Sequence, residues 1–419
     1  MVLIANTYWA GAPFLFREPP EGARLESLLL RSLDARDVSG LIWSPSKARA
    51  PFAVLAMHPR VDFTRHYLFP ALLAAGIPCL GAQCRSHADD KDAVHEELLL
   101  DVAACVAHLR DRGYERVVLL GNSGGASLSA LYQTQALLPA EKRLERAPGG
   151  TRTMLRAATL SPADALIYVA PHPGQGLVLE RALDPAVIDE AEPHASDDRL
   201  DMYHPDNGFA PPPEDSRYSP DFVARFREGQ RRRVEALDAR AEALIAEGRD
   251  AARRLKADNL TPDARRDAER RKAFDPVMVI HRTMANLDYV DRSLDPSGRP
   301  YGSLLSDQPH LMNYKLLGFA RVVTPRAWLS TWSARSSRAN LLQTLPAIGT
   351  PSLMIHAEHD REIHPAAQRA LDAALIGGES HTIAGAGHYF EPPFGEQAAP
   401  HRVALAERVI GWLREQLPW

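Results

Sequence analysis

The chain has 419 residues, enough for one large domain with a substantial insertion or for two ordinary ones. Its 49 Lys and Arg against 53 Asp and Glu leave a net charge of −4, which gives no general attraction to nucleic acid or to an anionic membrane surface. Cys79, Cys84 and Cys105 have neither metal-type pair spacing nor an even disulfide framework, no stretch is apolar for long enough to span a bilayer, and the opening residues lack a secretory pattern. A cytoplasmic protein is the expectation.

Residues 5–24, rich in Gly and Pro, are expected to lie as an extended arm over the body. Two short runs, Leu25 to Leu33 and Val38 to Trp43, flank the turn-prone Asp34 to Asp37 and read as antiparallel edge strands. The first core strand is Phe52 to Met57, ending in His58, Pro59 and Arg60. A helical face from Tyr67 to Ala75 stops at Gly76, and a strand follows from Ile77 to Gln83. The next helix spans Asp90 to Arg112, where Val94, Leu98, Val102, Cys105 and Leu109 lay one apolar stripe on a sheet.

Val117 to Leu120 is a buried-strand run that breaks into Gly121, Asn122, Ser123, Gly124 and Gly125, and a helix rich in small residues follows from Ala126 to Leu138. A strand that reverses this sharply into a helix strains its middle residue and projects the side chain, while its neighbours must be nearly bare. Ser123 therefore reads as a nucleophile. The N–H of Gly124, at the helix start, points towards a developing oxyanion.

Successive strand–helix units imply a parallel sheet covered on both faces. The pattern stalls after one more strand, Ala165 to Ala170, and resumes at Pro351 to Ala357. Residues 172–339 are thus expected to form an inserted, mainly helical cap, and 1–171 with 340–419 the core. Within the insertion, Pro220 to about Ala257 reads as one long charged helix. Its seam of Val234, Leu237, Ala241, Leu244, Gly248, Ala251 and Leu255 offers a surface for a homodimer. Thr261 caps the next helix and Pro262 opens it. Arg231, Arg232 and Arg233 read as a solvated face among interleaved acids. The chain then runs through a helix at Pro365 to Leu375, a strand at Ser380 to Ile383 and a closing helix from about Pro400 to Gln416.

A serine nucleophile needs a base, and the base needs a group that holds its tautomer. Asp360 leaves the carboxyl end of a strand, and His388 sits in a glycine-flanked loop after the last one. Ser, Asp and His in that order, each beyond a strand end, is the arrangement of a doubly wound sheet enzyme. Glu358 and Glu362 are the competing acids. His356, Glu358, His359 and Asp360 resemble metal ligands, but successive strand residues point to opposite faces, so no metal is expected. His95, Glu96 and Glu97 lack the second histidine of a zinc-protease helix.

In these three loops the chain resembles the α/β-hydrolase superfamily, esterase-like members with a large cap, over about residues 25–171 and 340–419. The resemblance implies a serine hydrolase without a cofactor that cleaves a carboxylic ester of a small or medium, partly apolar molecule. The same triad also serves carbon–carbon bond hydrolases and lactonases, and a non-catalytic ligand-binding member is the alternative from another class. The loop departs from the family's usual His-Gly at Pro59, which has no N–H, but the resemblance places the second oxyanion donor one residue later, on the Arg60 N–H. His58, Asn122, Arg85 and His172 at strand ends, and Trp328 and Trp332 with Tyr289 and His281 in the cap, are candidates to face substrate or to pack as structure.

Overall fold

The computed structural model describes residues 16, 18–47, 50–87, 89, 91–316, 318–391 and 398–419. Most of the expected N-terminal arm lies outside them. Its Phe16 is buried against Trp43, with ring centroids 5.1 Å apart.

Strands β1 (Arg24–Arg31) and β2 (Asp37–Ser44) pair antiparallel, and β2 pairs antiparallel with β4 (Cys79–Gln83). From β3 (Phe52–His58) onward the sheet is parallel: β3 lies between β4 and β5 (Arg116–Asn122), and β5 is followed by β6 (Ala165–Val169). All seven residues of β3 are buried. Side chains alternate across it, so Phe52, Val54 and Ala56 enter one apolar cluster while Ala53, Leu55 and Met57 enter the other. This is why the run reads as continuously hydrophobic: both faces are covered.

Helices α1 (Phe69–Ala74), α2 (His95–Asp111) and α3 (Gly124–Leu137) connect these strands. Two of the shifted boundaries have a local cause. Strand β4 starts at Cys79 because Pro78 has no N–H for the ladder. Helix α2 starts at His95, and Asp90 lies outside the described residues. Just before α2, Asp92 binds Thr324 and Arg326 of the insertion instead of capping a helix.

After β6 the chain leaves the sheet for the insertion. It holds α4 (Gln175–Ala182), the 35-residue α5 (Pro220–Arg254), α6 (Pro262–Ala273) and a small ribbon of β7 (Met278–Val279) with β8 (Val322–Val323). Thr261 accepts the N–H of Ala264 as the cap of α6. The seam on α5 is used inside the chain: Val234, Leu237 and Ala241 pack with Leu179, Leu183, Trp328 and Trp332. Of the arginine triplet, Arg231 and Arg232 bind Glu228 on the exposed face, whereas Arg233 is buried on Glu190 and the Asp184 carbonyl. A second part of the insertion, including Met284, Leu287, Tyr289 and Leu305, merges with the sheet cluster of Phe63, Ile167 and Ile355.

The chain re-enters the sheet at β9 (Ser352–Ala357), crosses α7 (Pro365–Ala374), adds β10 (Glu379–Ile383) at the edge and closes with α8 (Pro400–Gln416). The strand order is β1-β2-β4-β3-β5-β6-β9-β10. Cys79, Cys84 and Cys105 are all buried and unbridged.

Candidate active site

Ser123 occupies the turn between β5 and α3 with φ 53° and ψ −122°, a region that L residues rarely enter. Its N–H is held by the Val169 carbonyl at 2.9 Å. The flanking glycines are required by close approach. A Cβ on Gly121 would stand 2.5 Å from the Ala126 Cα, and one on Gly125 would stand 2.5 Å from the Met57 carbonyl oxygen. The elbow therefore docks backbone on backbone, and the serine is what projects.

The loop after β10 brings His388 Nε2 to 3.0 Å from Ser123 Oγ. The loop after β9 brings an Asp360 carboxylate oxygen to 2.7 Å from His388 Nδ1. The other Asp360 oxygen accepts the N–H groups of Glu362 and Ile363 at 2.8 and 3.0 Å. Burial by itself would raise the Asp360 carboxyl, but the His388 charge and these hydrogen bonds outweigh it and hold the group below its ordinary value. For His388 burial favours the neutral ring, yet the adjacent Asp360 carboxylate reverses the balance and raises it above its ordinary value.

The competing acids have other partners. Glu358 accepts the Gly385 N–H. Glu362 is half-buried beside the row, receives the Tyr289 hydroxyl at 3.2 Å, and is pushed up to about 7 chiefly by loss of solvent around its carboxyl. His356 binds Asp372 at 2.8 Å.

Ser123, His388 and Glu362 open on a small cavity of about 30 Å³, walled also by His58, Arg60, His172, Gln175, Val178, Leu304, Leu305, Phe319 and Trp332. Such a space holds about one water. The Arg60 guanidinium lies over the Trp332 and Phe319 rings, 5.2 and 5.3 Å from their centroids.

Four expected residues are placed differently. The Arg60 backbone N–H, expected to serve an oxyanion, donates to His58 Nδ1 at 2.9 Å, because the Pro59 turn folds the loop back onto that ring. Arg85 is drawn from the cavity by Asp34 and Asp101. Asn122 faces His66 and the Val169 carbonyl. Trp328 donates its indole N–H to Asp238 within the insertion. His58, His172 and Trp332 do reach the cavity, and Tyr289 reaches it through Glu362. Gln175 and Phe319 were not legible, since neither lies in a motif; Gln175 is brought in as the first residue of α4, just after the β6 loop.

An eight-stranded, mostly parallel sheet in this order, with a sharp glycine-flanked strand-to-helix turn after β5 and a histidine loop after the last strand, is the α/β-hydrolase fold. No family model matches the chain. A 72-residue stretch is 40% identical to the pimeloyl-[acyl-carrier protein] methyl ester esterase of Stenotrophomonas maltophilia (strain R551-3) and covers 17% of this chain and 27% of that protein. Among solved structures, the α/β hydrolase GrgF from Penicillium sp. sh18 is 13% identical over 94% of this chain and 100% of its own, with a TM-score of 0.48. The esterase domain of a Rhodothermus marinus protein is 9% identical over 94% of this chain and 98% of its own, with a TM-score of 0.44.

Proposed function

We propose that the protein is a serine hydrolase that cleaves a carboxylic ester of a small or medium, partly apolar molecule through an acyl-enzyme. The carrying observation is the row Ser123, His388 and Asp360 at 3.0 and 2.7 Å, on a strained elbow facing a cavity. His388 takes the Ser123 proton as Oγ attacks the ester carbonyl, and then passes it to the departing alcohol. Water, deprotonated by the same ring, cleaves the acyl-enzyme and restores Ser123. Asp360 keeps the Nδ1 proton in place and steadies the cation that forms.

Val178, Leu304, Leu305, Phe319 and Trp332 supply apolar walls for the acyl or alcohol group. Because the cavity holds so little, substrate entry requires the insertion to open, which gives that segment the role of a cap. The methyl ester named in the S. maltophilia relative is in keeping with a small alcohol half. Three unbridged, buried thiols fit action in the cytoplasm. No helix of the described residues is long and apolar enough to cross a membrane.

A fluorophosphonate probe applied to the folded protein is expected to label Ser123 alone, located by peptide mass. A panel of p-nitrophenyl esters is expected to be turned over, with short acyl chains ahead of long ones. Absence of label overturns the nucleophile. Labelling accompanied by turnover of lactones or vinylogous diketones but not of simple esters overturns the ester assignment.

The acid side of the pH profile has a defined sign. Only neutral His388 accepts the Ser123 proton, so kcat/KM falls as pH drops through the His388 pKa, which Asp360 raises above its ordinary value. Ionised Glu362 pushes that value further up. Glu362→Gln is therefore expected to move the acid limb to lower pH and to leave the plateau rate close to wild type. A limb that stays in place or moves up refutes the coupling.

A further inference from the structure

Two histidines and a glutamine surround Gly124, the residue whose N–H follows the nucleophile. A Cβ built on Gly124 would stand 2.8 Å from His172 Nε2, 2.8 Å from Gln175 Nε2 and 2.9 Å from His58 Nε2. No side chain fits there, and three side-chain nitrogens converge on the vacant face. All three belong to the wall of the cavity that holds Ser123.

The hydrogen bonds on the far side of each histidine ring decide what its near nitrogen does. His58 Nδ1 accepts two backbone N–H groups, from Arg60 and Val61, both at 2.9 Å. A nitrogen that accepts carries no proton, so in the neutral ring the proton is on Nε2. His172 Nδ1 accepts the Gly174 N–H at 3.2 Å, with the same result. Burial lowers the pKa of both rings, with their neighbours His388 and Arg60 adding to the effect, so each is neutral with one proton. Each therefore presents an N–H to the cavity. Gln175 points its amide the same way, and its Nε2 has no hydrogen-bond partner among the described residues. The Pro59 loop, having turned its backbone donors onto His58, uses them to orient an imidazole.

Resting on the assignment of Ser123 as nucleophile, we infer that the oxyanion of the tetrahedral intermediate is held by the Gly124 N–H together with the Nε2–H groups of His58 and His172. The electron pair of the ester carbonyl moves onto that oxygen as Oγ attacks, and returns to re-form the carbonyl as the alcohol leaves. The donors are fixed in advance by backbone and shielded from water, the condition under which such groups act most strongly on developing charge. The two rings give up no proton in this step; the one transferred proton travels through His388. Arg60, close enough to lower the pKa of both rings, adds positive potential on the same side.

Asparagine and glutamine separate the two ends of each ring. An asparagine oxygen stands near the place of Nδ1 and keeps an acceptor for the loop, but removes the donor. A glutamine nitrogen reaches the place of Nε2 and keeps the donor, but removes the acceptor. His58→Asn and His172→Asn are expected to lower kcat on a p-nitrophenyl ester by roughly 10²-fold to 10³-fold each with little change in KM. Fluorophosphonate labelling of Ser123, whose phosphoryl oxygen enters the same place, is expected to slow in parallel. The glutamine variants are expected to recover part of both rates. Melting temperature reports folding, and if one histidine proves essential for it the other decides. Asparagine variants with wild-type kcat and labelling rate overturn the inference while the nucleophile stands. A wild-type protein whose Ser123 takes no label overturns the hydrolase reading itself.

Discussion

Ser123→Ala is expected to lower kcat for ester hydrolysis by about five to six orders of magnitude and to abolish fluorophosphonate labelling. The size follows from what is removed. Without Oγ there is no acyl-enzyme, and His388 loses the group 3.0 Å from its Nε2 whose proton it takes. Folding should be nearly unchanged. The φ of 53° strains an alanine about as much as a serine, and the position is held by the Ser123 N–H on the Val169 carbonyl and by the bare flanks of Gly121 and Gly125. Circular dichroism and thermal melting should therefore match wild type while steady-state turnover collapses. A variant that keeps even a tenth of the activity places the nucleophile elsewhere.

Much of this arrangement was legible because it is written in local windows. The elbow needs glycines within two residues of the serine. The runs that became β3, β5, β6 and β9 needed apolar residues on both faces, and chain order alone put Asp360 and His388 beyond strand ends. Arg85, Asn122 and Trp328, open in the sequence between facing substrate and packing as structure, are settled by where each side chain turns. Arg85 leaves the cavity because Asp34, from the β1–β2 turn, and Asp101, in α2, meet at its guanidinium. Asn122 is taken up by His66 and the Val169 carbonyl. Trp328 and Trp332 are four residues apart in one short helical stretch, yet Asp238 ties the first into the insertion while the second reaches the cavity. None of these partners is near in sequence. The proton on His58 is decided in the same way, by backbone donors that the proline redirects.

Asp360→Asn is expected to cost about 10⁴-fold in kcat, a loss far larger than removal of one charge from a solvated site. The reason lies in the two oxygens of Asp360. One accepts the N–H groups of Glu362 and Ile363 at 2.8 and 3.0 Å, and in the variant only the amide oxygen can fill that place. The amide NH₂ is then forced towards His388 Nδ1, where the carboxylate now stands at 2.7 Å. A ring that must accept at Nδ1 carries its proton on Nε2, the atom facing Ser123, and so has no lone pair with which to take the serine proton. The geometry survives and the tautomer is wrong. Labelling of Ser123 should slow with turnover, while the melting profile stays cooperative. Glu362 provides the control, because among the described residues it is the only competing acid that lines the cavity with His388. If Glu362→Gln brings the 10⁴-fold loss and Asp360→Asn does not, the acid is Glu362. If the loss follows Asp360 and Glu362→Gln moves only the acid limb, Asp360 is the group that orients the base.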